Sequence, residues 1–121
     1  MIGVDIVVVE RIERSIGKFG DRFLHRYLNE EEIALVTSPQ TAAGFWAAKE
    51  AVSKALGTGI GEEVAFKEIT LRKDQRGAPS FTLSDRLTRK FRIRSTSLSI
   101  AHDGGLAIAV AAIESAPADE V

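Results

Sequence analysis

The chain alternates between segments with the spacing of a strand and segments with the spacing of a helix. Residues 2–9 are β-branched almost throughout, and a short apolar run of this kind predicts a buried strand. Residues 10–27 then change to helical spacing, and Gly17 and Gly20 predict a bend or break within them. The apolar stripe of this segment consists of Ile12, Ile16, Phe19, Phe23 and Tyr27.

The most regular helical segment runs from Phe45 to Leu56. It contains four alanines and no proline, with Thr41 as its predicted N-cap and Gly57 at the position of a C-terminal cap. The turn that follows, residues 57–61, holds three glycines, which can bring backbone N–H groups close to an anion. The rest of the chain is organised around this helix.

The remaining segments predict short strands and helices without βαβ alternation. A short helix capped by Asn29 comes first, and the hairpin signal is the turn at residues 102–105. The other predicted elements are strands at Val64–Leu71, Ser80–Leu83, Ser95–Ala101 and Leu106–Ile113 and a helix at Ser84–Phe91. The fold class is therefore α+β, in one domain over residues 1–114 with a frayed tail at 115–121.

Composition excludes several classes of protein. The chain has 121 residues and no cysteine, which excludes disulfides, thiolate nucleophiles and cysteine-ligated metals. No apolar run has the roughly 20 residues of a membrane helix, and the N-terminus lacks the layout of a signal peptide, so we expect a cytoplasmic protein. The net charge of −1 gives no general attraction to nucleic acid.

Two groups of charged residues stand out against this pattern. Asp5 lies inside an apolar strand, where a carboxylate is costly unless it is paired, bound to a metal or at a strand edge that meets solvent. Glu50 and Lys54 are four apart on one face of the central helix. They form either an ordinary helix pair or, with Lys49 and the glycine-rich turn, part of a metal-phosphate site.

A row of basic residues follows the first strand. Arg11, Arg14 and Lys18 begin it, at helical spacing, and Arg22 and Arg26 continue it. The row is either a solvated face or a surface for an acidic partner helix, because acidic residues flank it rather than interleave with it. No nucleic-acid-binding motif accompanies it.

Two motifs together carry a resemblance to a known family. The first strand reads Gly3-Val4-Asp5-Ile6-Val7, and the central helix reads W-x-x-K-E-x-x-x-K from Trp46 to Lys54, followed by Gly57-Thr58-Gly59. This combination resembles the 4′-phosphopantetheinyl transferases, and most closely their short bacterial type, the holo-[acyl-carrier-protein] synthases. The similarity extends through residues 66–69, 77–79 and 98–103 and so covers essentially the whole chain.

The resemblance implies a fold and a reaction. The fold is a single half of the 4′-phosphopantetheinyl transferase architecture, a mostly antiparallel sheet with a long helix packed on it. The reaction is the Mg²⁺-dependent transfer of 4′-phosphopantetheine from coenzyme A to a serine of apo acyl carrier protein, with release of adenosine 3′,5′-bisphosphate. The implied pathway is fatty acid biosynthesis, a part of lipid metabolism.

The family pattern also assigns roles to individual positions. Asp5 and Glu50 match its metal ligands, and Lys54 matches its phosphate-contacting lysine, so these three are the candidate catalytic residues. Glu50 or a metal-bound water or hydroxide would accept the serine proton, and Val7 stands where larger relatives have a second carboxylate. The candidate coenzyme A contacts are Lys54, Gly57, Thr58, Gly59, Pro79 and His102.

The resemblance further implies partners. The basic row at Arg11, Arg14 and Lys18 matches the surface on which the family docks its acidic carrier protein. Relatives of this length usually form homotrimers with sites between protomers. No nucleic acid or membrane partner is expected.

Two positions depart from the family pattern. Phe45 stands where an arginine is common, and Ala78 stands where a lysine is common. The arginine and the lysine would be coenzyme A phosphate contacts, and Lys49, Lys73 and Arg76 are the candidate substitutes.

Two other kinds of protein remain open on these residues. One is a non-catalytic module that binds coenzyme A or a nucleotide. The other is a small interaction domain whose basic row binds an acidic helix or RNA. His102 is likewise either a phosphate contact or a structural histidine at a strand end.

Overall fold

A computed structural model describes residues 1–117 of the chain. Five strands and five helices follow one another in an order without regular βαβ units, which confirms the predicted α+β class. The elements are β1 (Ile2–Val8), α1 (Val9–Phe19), α2 (Asp21–His25), α3 (Glu30–Ile33), α4 (Pro39–Ala55), a 3-10 turn (Phe66–Glu68), β2 (Ile69–Lys73), β3 (Pro79–Leu83), α5 (Asp85–Lys90), β4 (Ile93–Asp103) and β5 (Leu106–Ser115).

The strands form two antiparallel sheets. The larger has the order β1-β5-β4, and the smaller pairs β2 with β3. Gly104 and Gly105 connect β4 to β5, both with positive φ (55° and 79°), as the two-residue turn of a tight hairpin requires. The predicted hairpin is therefore correct: β5 begins at Leu106 as expected, and β4 extends to Asp103, two residues closer to the turn than expected.

The long helix α4 packs on one face of the larger sheet at very close range. A Cβ atom on Gly3 of β1 would lie 1.9 Å from the carbonyl oxygen of Ala51 and 2.5 Å from the backbone nitrogen of Ala55. The β5 side of this contact is also built from small buried residues, Ala107, Ala109 and Ala111. The backbones of helix and sheet thus approach as closely as glycine and alanine allow.

Aromatic side chains close the core on the other side of α4. The Trp46 ring is stacked on Phe23, with ring centroids 5.9 Å apart, and lies 5.0 Å from the Phe66 ring. Tyr27 is fully buried among them, and its hydroxyl donates a hydrogen bond of 2.9 Å to the carbonyl of Ala42 in α4. Burial of this hydroxyl raises the pKa of Tyr27.

Three predicted boundaries were wrong. α4 begins at Pro39, and its N-cap is Ser38, whose hydroxyl accepts from the Thr41 N–H, so Thr41 lies inside the first turn. Residues 64–68 form a loop and a 3-10 turn rather than the start of a strand. Gly17 lies within α1, and the predicted break falls at Gly20 alone, with a φ of 62°.

The last strand runs slightly past the predicted end of the domain. β5 continues to Ser115, one residue past the predicted limit, and the Ala116 N–H donates to the carbonyl of Arg92. Residues 118–121 of the predicted tail lie outside the described residues. Within residues 1–117, no helix combines the length and apolar character that crossing a bilayer requires.

Replacement of Gly3 by alanine should destabilise the fold by about 3 kcal/mol, because the new methyl group would overlap the α4 backbone. Gly17→Ala is the matched control: nothing lies within 4 Å of its added Cβ, and alanine suits a helix interior. Urea denaturation of the two variants measures the difference. Equal stability of Gly3→Ala and wild type would contradict the close contact described here.

Candidate active site

Asp5 and Glu50 are brought to one cavity by the packing of α4 on β1. Asp5 is on the side of β1 that faces α4, as Gly3 is, because alternate residues of a strand share a face. The cavity has a volume of about 390 Å³. Its lining consists of Asp5, Ile6, Val7, Arg11, Ile12, Ser15, Phe23, Trp46 and Glu50.

Lys54 is bound to Asp5 rather than to Glu50. Its Nζ donates a hydrogen bond of 2.9 Å to Asp5 Oδ1, across 49 residues of sequence. This hydrogen bond raises the pKa of Lys54, so the side chain stays cationic. The ordinary Glu50–Lys54 helix pair is therefore not the arrangement in this structure.

Glu50 is the under-neutralised group of the site. Burial raises its pKa, the negative charge of Asp5 raises it further, and Lys54 offsets only part of this. Among residues 1–117, no side chain forms a salt bridge with Glu50 within 4.0 Å. A cation between Asp5 and Glu50 would relieve the repulsion that raises this pKa.

The donor set of the cavity suits magnesium. In the described part of the chain, no group of three or more histidine or acidic side chains is placed to hold a metal ion, so two carboxylates are the protein's contribution here. Mg²⁺ is commonly bound through one or two carboxylates, with phosphate oxygens and waters in the other places. Val7, at the position of a further carboxylate in larger relatives, is buried and apolar.

Lys49 does not belong to this cavity, contrary to the sequence-based interpretation. Its side chain is fully buried, and its Nζ donates to Glu32 Oε1 at 3.0 Å and to the carbonyl of Phe66 at 3.1 Å. Lys49 is therefore excluded as a substitute for the missing phosphate contacts.

The backbone N–H groups of the glycine-rich turn also donate to other groups of the chain. The N–H of Gly57 donates to the carbonyl of Lys54, and those of Thr58 and Gly59 donate to the carbonyl of Ser53. These bonds close the C-terminal end of α4, with Gly57 at a φ of 80°. In this conformation the three N–H groups are therefore not directed at a phosphate, and the prediction that these residues contact coenzyme A stays a prediction.

Pro79 and His102 line a second cavity, of about 170 Å³. The other residues that line it are Thr41, Gly44, Phe45, Lys73, Gly77 and Ile100. His102 Nε2 lies 2.8 Å from the carbonyl oxygen of Gln40, so this nitrogen donates and Nδ1 is left for other contacts. A Cβ on Gly44 would lie 2.9 Å from His102 Nε2, and glycine is thus what leaves room for the ring.

Lys73 is the cation of this second cavity. Its Nζ lies 5.5 Å from the centre of the Phe45 ring, within the range of a cation–π contact. Arg76 instead belongs to an exposed turn, where its N–H donates to Asp74. Of the three proposed substitutes for the missing phosphate contacts, Lys73 is the one that lines this cavity.

The basic row is exposed and begins on α1 with Arg11, Arg14 and Lys18, where Arg11 lies at the edge of the first cavity; Arg22 lies on α2 and Arg26 directly after it. Arg14 is paired with Glu10 at 2.6 Å, so the row is not purely of one sign as the sequence suggested. Both side chains are well exposed, and such a pair is weak and easily exchanged for another.

Sequence reasoning missed the apolar floor of the first cavity. Ile12 and Phe23 were read only as core positions, yet both line the cavity beside Trp46. Their helical spacing indicates burial and says nothing of which buried side chains border a ligand.

Comparisons with known proteins agree with this geometry. The family model of the 4′-phosphopantetheinyl transferase superfamily matches residues 1–111. A holo-[acyl-carrier-protein] synthase of Wolinella succinogenes is 59% identical over 114 residues, 94% of this chain and 97% of that protein. One from Sulfurovum sp. is 55% identical over 113 residues, 93% of this chain and 95% of that protein.

Solved structures agree as well. The structure superposes on holo-[acyl-carrier-protein] synthase of Helicobacter pylori in complex with coenzyme A, with a TM-score of 0.91, 46% identity and coverage of 94% of this chain and 100% of that chain. The Bacillus anthracis enzyme in complex with CoA (3′,5′-ADP) gives a TM-score of 0.80 and 38% identity, with 95% and 96% coverage.

Replacement of Glu50 by glutamine should stabilise the metal-free protein at pH 7.5. Because the pKa of Glu50 is raised in the folded state, its ionisation lowers the free energy of unfolding at pH values above that pKa. At pH values well below its ordinary pKa the carboxyl is protonated in both the folded and the unfolded state, and it then has no effect. The gain should therefore vanish near pH 3.5, and added Mn²⁺ should stabilise the wild type more than the variant. Urea midpoints of the wild type and Glu50→Gln at the two pH values measure the gain in stability, and Glu13→Gln, at an exposed position, is the control. A variant less stable than wild type at pH 7.5 would refute the repulsion between Asp5 and Glu50.

Proposed function

The chain belongs to the 4′-phosphopantetheinyl transferase superfamily, among its holo-[acyl-carrier-protein] synthases, and we propose that it transfers 4′-phosphopantetheine from coenzyme A to a serine of apo acyl carrier protein with Mg²⁺. In this reaction the serine oxygen forms a bond to the β-phosphorus of the pyrophosphate. The anhydride bond breaks, adenosine 3′,5′-bisphosphate leaves, and the serine proton passes to a base. The proposed pathway is fatty acid biosynthesis, and a cytoplasmic location remains a prediction from the sequence.

One observation carries the proposal. Two carboxylates from different elements, Asp5 of β1 and Glu50 of α4, face one cavity, and a cationic Lys54 is bound at its edge. Phosphoryl transfer depends mainly on neutralising and positioning charged oxygens, and these three side chains are of the kind that the reaction requires.

Asp5 and Glu50 are the residues that would hold Mg²⁺. When bound there, the ion would neutralise pyrophosphate charge and polarise the phosphoryl oxygens. The two carboxylates supply the negative charge that attracts it, and the pKa of Glu50 is raised by its burial first and by the negative charge of Asp5 second.

Lys54 would stabilise charge that develops on the phosphoryl oxygens. Half of its side chain is exposed, so the ammonium is accessible to an anionic group while Asp5 keeps it close. Glu50 is a candidate proton acceptor for the serine, since a raised pKa brings a carboxylate closer to the value useful for a general base. A water activated in the site is the other candidate.

The second cavity is the proposed site for the other phosphate-bearing end of coenzyme A. His102 and Pro79 match the family pattern there, and Lys73 lies close enough to act where Phe45 and Ala78 offer no charge. Gly57, Thr58 and Gly59 are proposed contacts through their exposed surface rather than through their N–H groups.

Arg11, Arg14 and Lys18 are the proposed docking residues for the carrier protein. They are exposed on α1, the helix that borders the first cavity, so a partner bound to them would lie next to Asp5 and Glu50. A row of cations on a helix suits the acidic surface of an acyl carrier protein.

A homotrimer is the proposed assembly. The face of the larger sheet opposite α4 carries six large apolar side chains that are 37–75% exposed: Ile2, Val4, Ile6, Val8, Ile108 and Val110. Val4 is opposite Val110 in the register, and Ile6 is opposite Ile108, so they form one continuous patch. A patch of this kind is typical of an interface, and further copies of this chain are the occupants that the family expectation favours.

Intact-mass analysis of an apo acyl carrier protein, incubated with this protein, coenzyme A and Mg²⁺, should show the gain of one phosphopantetheine group. Asp5→Asn and Glu50→Gln should slow the transfer by at least about 100-fold, because each removes a carboxylate that would hold the cation, and the cation offsets the negative charge of the transition state. Glu31→Gln, an exposed acid on α3, should transfer at the wild-type rate. Coenzyme A binding without any transfer to several carriers would favour the non-catalytic module instead.

Charge reversal at Lys18 should raise the KM for the carrier protein by roughly tenfold and leave the KM for coenzyme A unchanged, because a rim charge acts on encounter with the partner. Arg89→Glu, an equal reversal on the exposed surface of α5, is the control. If both variants have the same KM for the carrier, α1 is not the docking surface.

Val4→Glu should disrupt the assembly, since it places a carboxylate in the apolar face at a position that lines neither cavity. Light scattering after size exclusion should give three times 13.1 kDa for the wild type and a smaller mass for the variant. Ser80→Glu, on the exposed side of β3, should remain assembled. A monomeric wild type would refute the trimer and leave the transfer reaction to be judged by the mass assay.

A further inference from the structure

The most deeply buried charges of the chain lie outside both cavities. Lys49 and Glu32 are each 0% exposed, and their Nζ and Oε1 atoms are 3.0 Å apart. Burial lowers the pKa of Lys49, and the neighbouring Glu32 opposes that shift. Neither residue has a part in the proposed reaction, although Lys49 is the immediate neighbour of Glu50.

The pair is joined to several elements at once. Glu32 Oε1 also accepts from the Asn29 N–H at 2.8 Å, and Oε2 accepts from the Leu71 N–H of β2 at 2.8 Å. Lys49 Nζ donates in addition to the carbonyl of Phe66 at 3.1 Å. Lys49 therefore links α4 directly to α3 and to the 3-10 turn, and it links α4 to β2 through Glu32. Each of these hydrogen bonds has a fixed direction.

On the opposite side, α4 is held at Lys54, whose Nζ donates to Asp5 Oδ1 at 2.9 Å, and the helix otherwise relies on small residues there. It meets the sheet through Gly3, Ala51 and Ala55, which approach closely but lack the side chains that interlock with a neighbour. The Tyr27 hydrogen bond to Ala42 fixes the first turn of the helix. Lys49 is the corresponding directional contact at the turn that carries Glu50.

A small rotation at that turn would matter for the cavity. Successive helix residues are about 100° apart, so the direction of Lys49 determines the direction of Glu50. A carboxylate lies roughly 5–6 Å from the helix axis, and a rotation of about 20° would move it by about 2 Å. Magnesium requires near-ideal octahedral geometry, and a shift of this size would remove Glu50 from a shared position with Asp5.

Stability alone is a weak reason for this pair. A buried ion pair commonly contributes no more to stability than well-packed apolar side chains of the same volume, because desolvation offsets the attraction. A pair of apolar side chains would lack the directed hydrogen bonds that Lys49 and Glu32 make to their neighbours.

We propose that Lys49 and Glu32 are positioning residues, whose hydrogen bonds fix the rotation of α4 so that Glu50 faces Asp5. This inference rests on the function proposed above, because its consequence is read at the cation site. The pair touches neither substrate nor cation and acts only through Glu50.

The test compares Mn²⁺ affinity in the full chain with and without the pair. Lys49→Met leaves a buried carboxylate uncompensated and is expected to fold poorly, so the double variant Lys49→Met/Glu32→Gln, which removes both charges, is the informative one. Electron paramagnetic resonance should show Mn²⁺ bound at least tenfold more weakly than in the wild type. The emission of Trp46, the one tryptophan of the chain, should also shift, because its ring packs on Phe66.

A stability-matched control separates positioning from loss of stability. Leu87 is fully buried in α5, which packs on β3 and β4, and Leu87→Ala should lower the urea midpoint without weakening Mn²⁺ binding. A folded double variant with wild-type Mn²⁺ affinity would overturn the inference and leave the proposed function intact.

A wild type that binds no Mn²⁺ would instead refute the proposed cation site. Crystal structures of the wild type and the double variant would then decide the positioning role. Rotation of α4 and redirection of Glu50 would support it, and an unchanged Glu50 would overturn it.

Discussion

The close packing of α4 on β1 and β5 is the contact on which the rest of the structure depends. At Gly3 the helix backbone occupies the space that any side chain would need. Because the two backbones meet directly, Asp5, two residues along the same strand face, is brought beside α4, within hydrogen-bonding distance of Lys54. The first cavity, with Asp5 and Glu50 in its lining, is thus a direct consequence of small residues in the core rather than of a dedicated loop.

Two neighbouring charged residues of α4 lie in opposite surroundings. Lys49 is buried, paired and hydrogen-bonded, and its charge is balanced within the fold. Glu50 faces a cavity where burial and a second carboxylate raise its pKa and where Lys54 offsets the shift only in part. This imbalance distinguishes a group available to a ligand from one that is part of the core.

The two faces of the larger sheet are equally distinct. One face receives α4 on alanine and glycine, and the other presents large β-branched side chains to the outside. The strict alternation along β1 produces both, since odd positions pack under the helix and even positions point away. A single chain therefore carries a complete core on one side of its sheet and an uncovered apolar face on the other.

The sequence by itself determined most of the elements, the β4–β5 hairpin and the family, because periodicity, capping residues, the glycine turn and the combined Asp5 and W-x-x-K-E-x-x-x-K motifs are local signals. The Asn29 and Ser84 caps and the Gly104-Gly105 turn are cases where local chemistry suffices. Only the tertiary structure decided that Lys49 is buried against Glu32, that Lys54 binds Asp5, and that the N–H groups of residues 57–59 close the helix end. Each of these depends on which partner lies nearby after folding, and a spacing of one residue between Lys49 and Glu50 cannot reveal which of them faces the core.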